Sequence, residues 1–275
     1  MPEAMEVPAG VDPTAPSPAR LYDYYLGGHN HFEADRALAE KLRASVPELD
    51  DASWCNRGFL QRAVRRLAAR HGVRQFLHIG AGLPTQNNTH QVARQVAPDS
   101  RVVYVDNDPM VLAHADALLS GIPDVSLIVG DLREPDTVLA DPELNRLIDF
   151  DQPVAVLLVA VVPFLSDEED PWGKVARFMD ATVPGSYLAL SHATADRQAG
   201  HRVRGIEEIY DQATEKLYFR TRTQVEQFFN GMELLVPYPG ADPALTYMGL
   251  WDAEDPKAAD SDGSRWGYAG VARKP

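Results

Sequence analysis

Three features of this chain predict a Rossmann-like α/β fold, a mostly parallel sheet with helices on both faces. Five short apolar segments, near 75–79, 101–105, 125–129, 153–159 and 185–191, alternate with stretches of helical spacing near 87–96, 108–120, 134–148 and 170–182. Such alternation builds a parallel sheet covered on both sides. The fourth segment, Val154 to Val159, is apolar without a period of two, as a central strand must be. The first three segments each end in a glycine or a carboxylate: Gly80-Ala81-Gly82, Asp106, and Gly130-Asp131. In an open α/β sheet those carboxyl ends line the ligand crevice.

The elements ahead of the sheet form a helical cap. Residues 1–18 are rich in Pro, Ala and Ser and carry no periodicity, which predicts a flexible arm. Arg20 to Asn30 sets three tyrosines against Gly27-Gly28, so a short helix should close at one of those glycines. Glu33 to Ser45 has helical spacing, with Leu38 and Leu42 on one face. Asp51 or Ser53 can cap a third helix, whose stripe is Phe59, Leu60, Ala63, Val64 and Leu67 and which ends at His71-Gly72. The expected organisation is an arm over 1–18, a cap over 19–72 and an α/β domain over 73–275.

Beyond the fifth strand, Asp196 to Tyr218 reads as one long polar helix with Ile206, Ile209, Tyr210, Ala213 and Leu217 on one side, placed to act as a lid. Thr223-Gln224-Val225-Glu226 matches a capping box and should open another helix. Glu233 to Val236 reads as a sixth strand and Trp266 to Ala272 as a seventh, with an acidic exposed loop over Asp252 to Ser264 between them.

The bulk composition narrows the function. The chain has 275 residues, 45% apolar and 24% charged, long enough for one large domain with a substantial core. Lys and Arg number 26 against 40 Asp and Glu, a net charge of −14. That balance disfavours a partner held by phosphates, so no nucleic-acid partner is expected. A single cysteine, Cys55, excludes an internal disulfide and disfavours a cysteine zinc site; no metal is expected. Met1 to Pro18 lacks the basic start and apolar run of a secretory signal, and no segment has the apolar length of a membrane span. A cytoplasmic protein without a membrane partner is the expectation, and a homo-oligomer is compatible with it.

The crevice residues suit a nucleoside. Gly80 and Gly82 let the backbone turn tightly beside a ligand. A dinucleotide fingerprint would carry a third glycine where this chain has Thr85 after Pro84, which disfavours a nicotinamide-dependent oxidoreductase. The interval from Gly80 to Asp106 leaves room for a helix and a return strand. Asp106 therefore lies at the neighbouring strand end, where a carboxylate accepts from ribose hydroxyls. Asp108 before Pro109 is the natural helix cap, leaving Asp106 for the ligand. Asp131 can accept from an adenine amino group while the Leu132 amide donates to a ring nitrogen. The spacing favours S-adenosylmethionine.

With Arg20 to Gly28, Asn30, Asp35-Arg36, Gly80 to Thr85, Val103 to Pro109, Gly185 to Leu188, Ser191-His192 and Tyr268 to Ala272, the chain resembles the small bacterial S-adenosyl methyltransferase family over nearly everything after Ala19. The resemblance implies a seven-stranded sheet whose last strand lies antiparallel beside the fifth. It also implies cofactor contacts from Gly80, Gly82, Asp106 and Asp131, with the Tyr-Asp-Tyr and Gly-Gly segment, including Tyr24 and Gly28, covering the site. Asn107, Leu132 and Ala160 complete the expected contacts. Two positions depart from the family pattern. His78 stands where an acidic residue is usual, and Pro163 stands where a histidine is common.

Methyl transfer is an in-line displacement, for which the protein mainly aligns the reactants. Where the acceptor must lose a proton, His192, after the fifth strand, and Tyr25 are the candidate catalytic residues; Tyr24, Asp23 and His29 lie near the same crevice. Arg20 can hold a carboxylate or pair with Asp23 or Asp35. His201, Arg202 and Arg204 form a basic cluster that can meet an anionic substrate or lie on a solvated face. The expected function is transfer of a methyl group from S-adenosylmethionine to a small-molecule acceptor. The alternative is a non-catalytic cofactor-binding sensor or regulatory protein, which His78 and Pro163 motivate.

Overall fold

Alternation along each strand decides which side chains face which layer of helices. The computed structural model describes residues 7–84 and 87–275. In chain order, α1 (Pro18–Tyr25), α2 (Glu33–Ser45) and α3 (Leu49–Arg70) precede the sheet. Then come β1 (Gln75–Ile79), α4 (Thr89–Val96), β2 (Arg101–Asp106), α5 (Pro109–Leu119), β3 (Val125–Val129), α6 (Pro135–Leu139), α7 (Pro142–Leu147) and β4 (Ala155–Val159). The last third holds α8 (Pro171–Asp180), β5 (Tyr187–Ala193), α9 (Gly200–Tyr210), α10 (Arg222–Glu226), β6 (Glu233–Leu234), β7 (Thr246–Tyr247) and β8 (Gly267–Arg273).

The sheet runs β3-β2-β1-β4-β5-β8-β6, parallel through β5 and then antiparallel, with β7 also paired to β8. The sheet thus has 8 strands rather than the seven expected. Thr246 pairs with Ala269 and Glu233 with Arg273, so β6 and β7 share the outer edge of β8. A two-residue strand leaves no alternation to read, so β7 had no signal in the sequence.

Phe76, Tyr104, Leu157 and Ala189 face a core that includes Phe59, Leu60, Val64 and Leu67 of α3. Leu77, Val103, Val156 and Leu188 face the opposite core, with Leu144 of α7, Phe178 of α8 and Val225 of α10. Burial of one such large side chain contributes roughly 1.5–3 kcal/mol.

Several expected boundaries move. The helix expected over 134–148 divides, because Pro142 cannot continue α6 and the Asp141 carboxylate caps α7 by accepting from the Glu143 and Leu144 amides. Helix α3 starts before its expected caps, with Glu48 at the N-cap position. The Thr221 hydroxyl caps α10 by accepting from the Gln224 amide, two residues ahead of the expected box. The long lid helix forms only over Gly200–Tyr210. After it the Thr214 amide donates to Pro16 O and the Tyr218 amide to Pro163 O, at 2.9 and 2.8 Å. Those bonds hold residues 211–218 as irregular chain against the segment before α1 and the loop after β4.

The arm expected over 1–18 also changes. Residues 1–6 lie outside the described residues, as does Thr85. From Val11 onward the chain packs on the body. Val11 lies against Leu83, Met110 and Val111, and buried Ser17 donates its hydroxyl to Asp108.

Candidate active site

The carboxyl ends of β1 to β5 open on one cavity of about 540 Å³, within the range of small-molecule sites. Gly80, Gly82, Asp106, Asn107, Asp131, Leu132 and Ala160 all line it. The structure therefore brings together seven of the nine expected cofactor contacts.

The glycine loop leaves β1 in the left-handed region, with φ of +66° at both Gly80 and Gly82. A Cβ on Gly80 would lie 2.2 Å from Val161 Cγ2, whereas one on Gly82 would meet nothing within 4 Å. The first glycine admits the β4 loop; the second keeps the cavity open. Asp106 accepts from the Gly82 amide at 2.8 Å through one carboxylate oxygen and from the Asp108 amide at 2.9 Å through the other. Burial raises its carboxyl pKa, with those amides opposing the rise. Each oxygen retains acceptor capacity for a ligand hydroxyl.

At the next strand end Asp131 accepts from Asn107 Nδ2 at 2.7 Å and from the Arg133 amide at 2.8 Å. Arg133 binds Glu169 at 2.7 Å and Glu215 at 2.8 Å, tying the irregular segment after α9 to the cavity rim. Burial works against the Glu169 charge, but hydrogen bonds from Arg133 and Ser166 outweigh it and hold this carboxyl at about 2. Ala160, at φ +57°, donates its amide to Ser191 Oγ at 3.0 Å. Ser191 in turn donates to Asn56 Oδ1 at 2.6 Å, and Asn56 donates to the Tyr22 hydroxyl at 2.9 Å.

Two expected contacts do not reach the cavity. The Tyr24 hydroxyl donates outward to Glu40 at 2.8 Å, and Arg43 lies over its ring at 4.6 Å. Helical phase turns Tyr22 and Tyr25 inward instead. Gly28 lies against the Asp23 carboxylate, 2.2 Å from where its Cβ would be, and serves the turn after α1. Asp23 is buried and accepts from the Asn30 amide; His29 is exposed. Arg20 pairs with Asp35 at 2.9 Å, both buried. In the basic cluster Arg202 pairs with Glu48 and covers Trp266, so it belongs to a folded helix face.

The catalytic candidates separate. His192 borders the cavity, but both ring nitrogens are engaged. Nε2 lies 2.7 Å from Arg220 Nη1, a donor at every accessible pH, and Nδ1 lies 2.8 Å from Ala193 O. The ring stacks on Phe228, and burial, reinforced by the Arg220 charge, lowers its pKa to about 3. His192 is neutral with its lone pair occupied, so it is not a base. Tyr25 is 5% exposed and its hydroxyl has no hydrogen-bond partner among the described residues. Burial, with Tyr210 next in effect, raises its pKa well above the ordinary phenol value, so it can donate a hydrogen bond but not act as a base. An unpaired buried hydroxyl costs roughly 1–3 kcal/mol unless a ligand satisfies it.

His78 is buried with Nδ1 3.0 Å from the Thr89 hydroxyl, and burial plus the Arg57 charge lower it to about 3. A neutral ring therefore stands where the acidic residue is usual, beside a buried arginine. Ser53, Asn56 and Arg57 also line the cavity. Sequence reasoning missed them, although polar residues continuing the spacing of the Leu60, Ala63, Val64, Leu67 stripe were an available signal.

Over residues 4–275 the sequence matches the family described as S-adenosyl methyltransferase. The fold is similar to that of a methyltransferase candidate from Thermobifida fusca YX, at 39% identity and TM-score 0.89, covering 98% of this chain and 99% of that one. It is likewise similar to a DUF574 family protein from Streptomyces avermitilis MA-4680, at 37% identity and TM-score 0.87, covering 95% and 98%. No curated protein matches the sequence.

Proposed function

The chain belongs to the S-adenosyl methyltransferase family, with S-adenosylmethionine as cofactor, and on that premise we propose that it methylates a small-molecule acceptor bound in the inner part of its cavity. One observation carries the proposal: a single cavity is lined both by the polar strand ends, among them Asp106 and Asp131, and by apolar side chains of the N-terminal helices, among them Leu42 and Leu60.

The rim fits the cofactor. Gly82 leaves open space where any side chain would intrude, and the buried Asp106 carboxylate has acceptor capacity left. Asp106 would take the ribose hydroxyls, Asp131 and the Leu132 amide the adenine edge, and Arg57 the carboxylate end near His78. S-adenosylmethionine supplies the activated methyl group when bound.

The protein's own residues would align and enclose the reactants. The Ser191–Asn56–Tyr22 hydrogen bonds fix the floor near Ala160, and Arg133 holds residue 215 over the rim. Since His192 and Tyr25 cannot accept a proton, an acceptor whose attacking atom is already nucleophilic at neutral pH suits the site.

The test is incubation of the purified protein with S-adenosylmethionine and a panel of small acceptors, with S-adenosylhomocysteine read by mass spectrometry. Acceptor-dependent product is expected. Cofactor binding without product from any acceptor would favour the sensor alternative.

A further inference from the structure

The chain ahead of α1 is part of the wall around the ribose carboxylate. Gly10, Val11, Asp12, Ala15 and Ser17 line the same cavity as Asp106. Composition shapes this segment before any contact does. Pro8, Pro13 and Pro16 each fix φ and remove an amide donor, and residues 7–17 form neither helix nor strand. Inside the segment the Thr14 amide and hydroxyl both donate to Asp12 Oδ1, at 2.8 and 2.7 Å. That turn stiffens its middle.

Its two ends are held differently. Ser17 is buried and is the N-cap of α1. Its hydroxyl donates to Asp108 Oδ2 at 2.8 Å, and the Asp108 amide donates to Asp106 Oδ1 at 2.9 Å. Beside it the Pro16 carbonyl accepts from the Thr214 amide at 2.9 Å. This end is fixed next to the ribose carboxylate. The other end rests on an apolar contact. Half-buried Val11 packs on Leu83, Met110 and Val111, and a Cβ on Gly10 would lie 3.5 Å from Pro109. Between the ends, Arg20 donates to the carbonyls of Asp12 and Ala15.

We propose that residues 10–17 are a strap that covers the ribose end of the bound cofactor, lifts about Ser17 when the cofactor enters or leaves, and is latched by Val11. The proposal rests on the cofactor reading, in which Asp106 takes the ribose hydroxyls. The latch itself is Val11 against Leu83, Met110 and Val111, none of which that reading assigns to the cofactor. The strap is therefore held alike with the cofactor in or out. A cover with equal hold on both states leaves the binding equilibrium where it was. It slows entry and exit by the same factor, the fraction of time it stands open.

The test is surface plasmon resonance of S-adenosylhomocysteine over the immobilised protein, native and Val11→Ser, with amide hydrogen exchange on both. Val11→Ser removes a half-buried apolar contact, so association and dissociation should both quicken about tenfold. Kd should change by less than about threefold. Exchange over residues 11–15 should accelerate by about the same tenfold, with β1 and β2 unaffected. Val11→Ile, which keeps the contact, should keep the native rates. Unchanged rates in Val11→Ser, or faster dissociation without faster association, would overturn the strap: the first says that nothing has to lift, the second that Val11 is ordinary wall. Failure of S-adenosylhomocysteine to bind the native protein would instead overturn the cofactor reading, and the strap with it.

Discussion

The Gly82 amide donates to Oδ2 of Asp106 at 2.8 Å, so the loop after β1 and the end of β2 form one hydrogen-bonded unit. A glycine that keeps space open and a carboxylate that keeps acceptor capacity are thereby fixed on the same wall. A ligand gripping one also meets the other.

The two glycines should fail differently. Gly80→Ala combines a left-handed φ with a Cβ 2.2 Å from Val161, and strain of this kind costs about 1–3 kcal/mol. Gly82→Ala has the same φ but an unobstructed Cβ, so it should lose about 1–2 kcal/mol and lose ligand affinity as well. Urea denaturation and cofactor titration of both variants check this. Equal stability losses with equal affinities would contradict it.

Arg20→Met should be costly. Asp35 is fully buried and also accepts from the Ser17 and Phe32 amides, so removing the guanidinium strands a buried charge. A loss of about 3–5 kcal/mol is expected, with part recovered in Arg20→Met/Asp35→Asn. Chemical denaturation measures both.

Stability should fall on mild acidification. His78 and His192 are each held at about 3, mainly by burial, against an ordinary 6.5. Below pH 6.5 the unfolded chain takes up protons that the native rings refuse. The contribution is therefore complete above pH 6.5 and is lost progressively as pH falls toward 3, by up to about 1.4 kcal/mol per pH unit for each ring. Melting curves between pH 7 and 5 should show this slope, and His78→Gln or His192→Gln should each reduce it. An unchanged slope in both variants would be the contrary result.

Arg133→Gln should loosen the rim, because Arg133 joins Glu169, Glu215 and Phe164 O. The pairs are partly exposed, so a loss of about 1 kcal/mol or less is expected. Hydrogen exchange over 211–218 should accelerate up to about fivefold, with the strands unaffected. No local change would refute the tie.

Most of the sheet was legible because β1, β2, β4 and β5 are apolar runs whose ends carry residues that open or line a crevice. Their alternation also fixed which glycines and carboxylates converge. The lid was misread because Ala213 and Leu217 continue the helical spacing of Ile206 and Ile209, whereas bonds to Pro16 and Pro163, remote in sequence, hold this segment irregular. His192 was expected just after the fifth strand, but it lies within β5, and Arg220, far along the chain, occupies its Nε2. Tyr24 and Tyr25 differ by one step of helical phase, which the short α1 left ambiguous.

The most direct measurement is calorimetric titration of the folded protein with S-adenosylmethionine, beside Asp106→Ala. The account predicts saturable one-to-one binding by the native chain and a loss of about 10- to 100-fold in the variant, as expected for removing charge-assisted hydrogen bonds. Absence of saturable heat in the native protein, or equal affinity in Asp106→Ala, would contradict it.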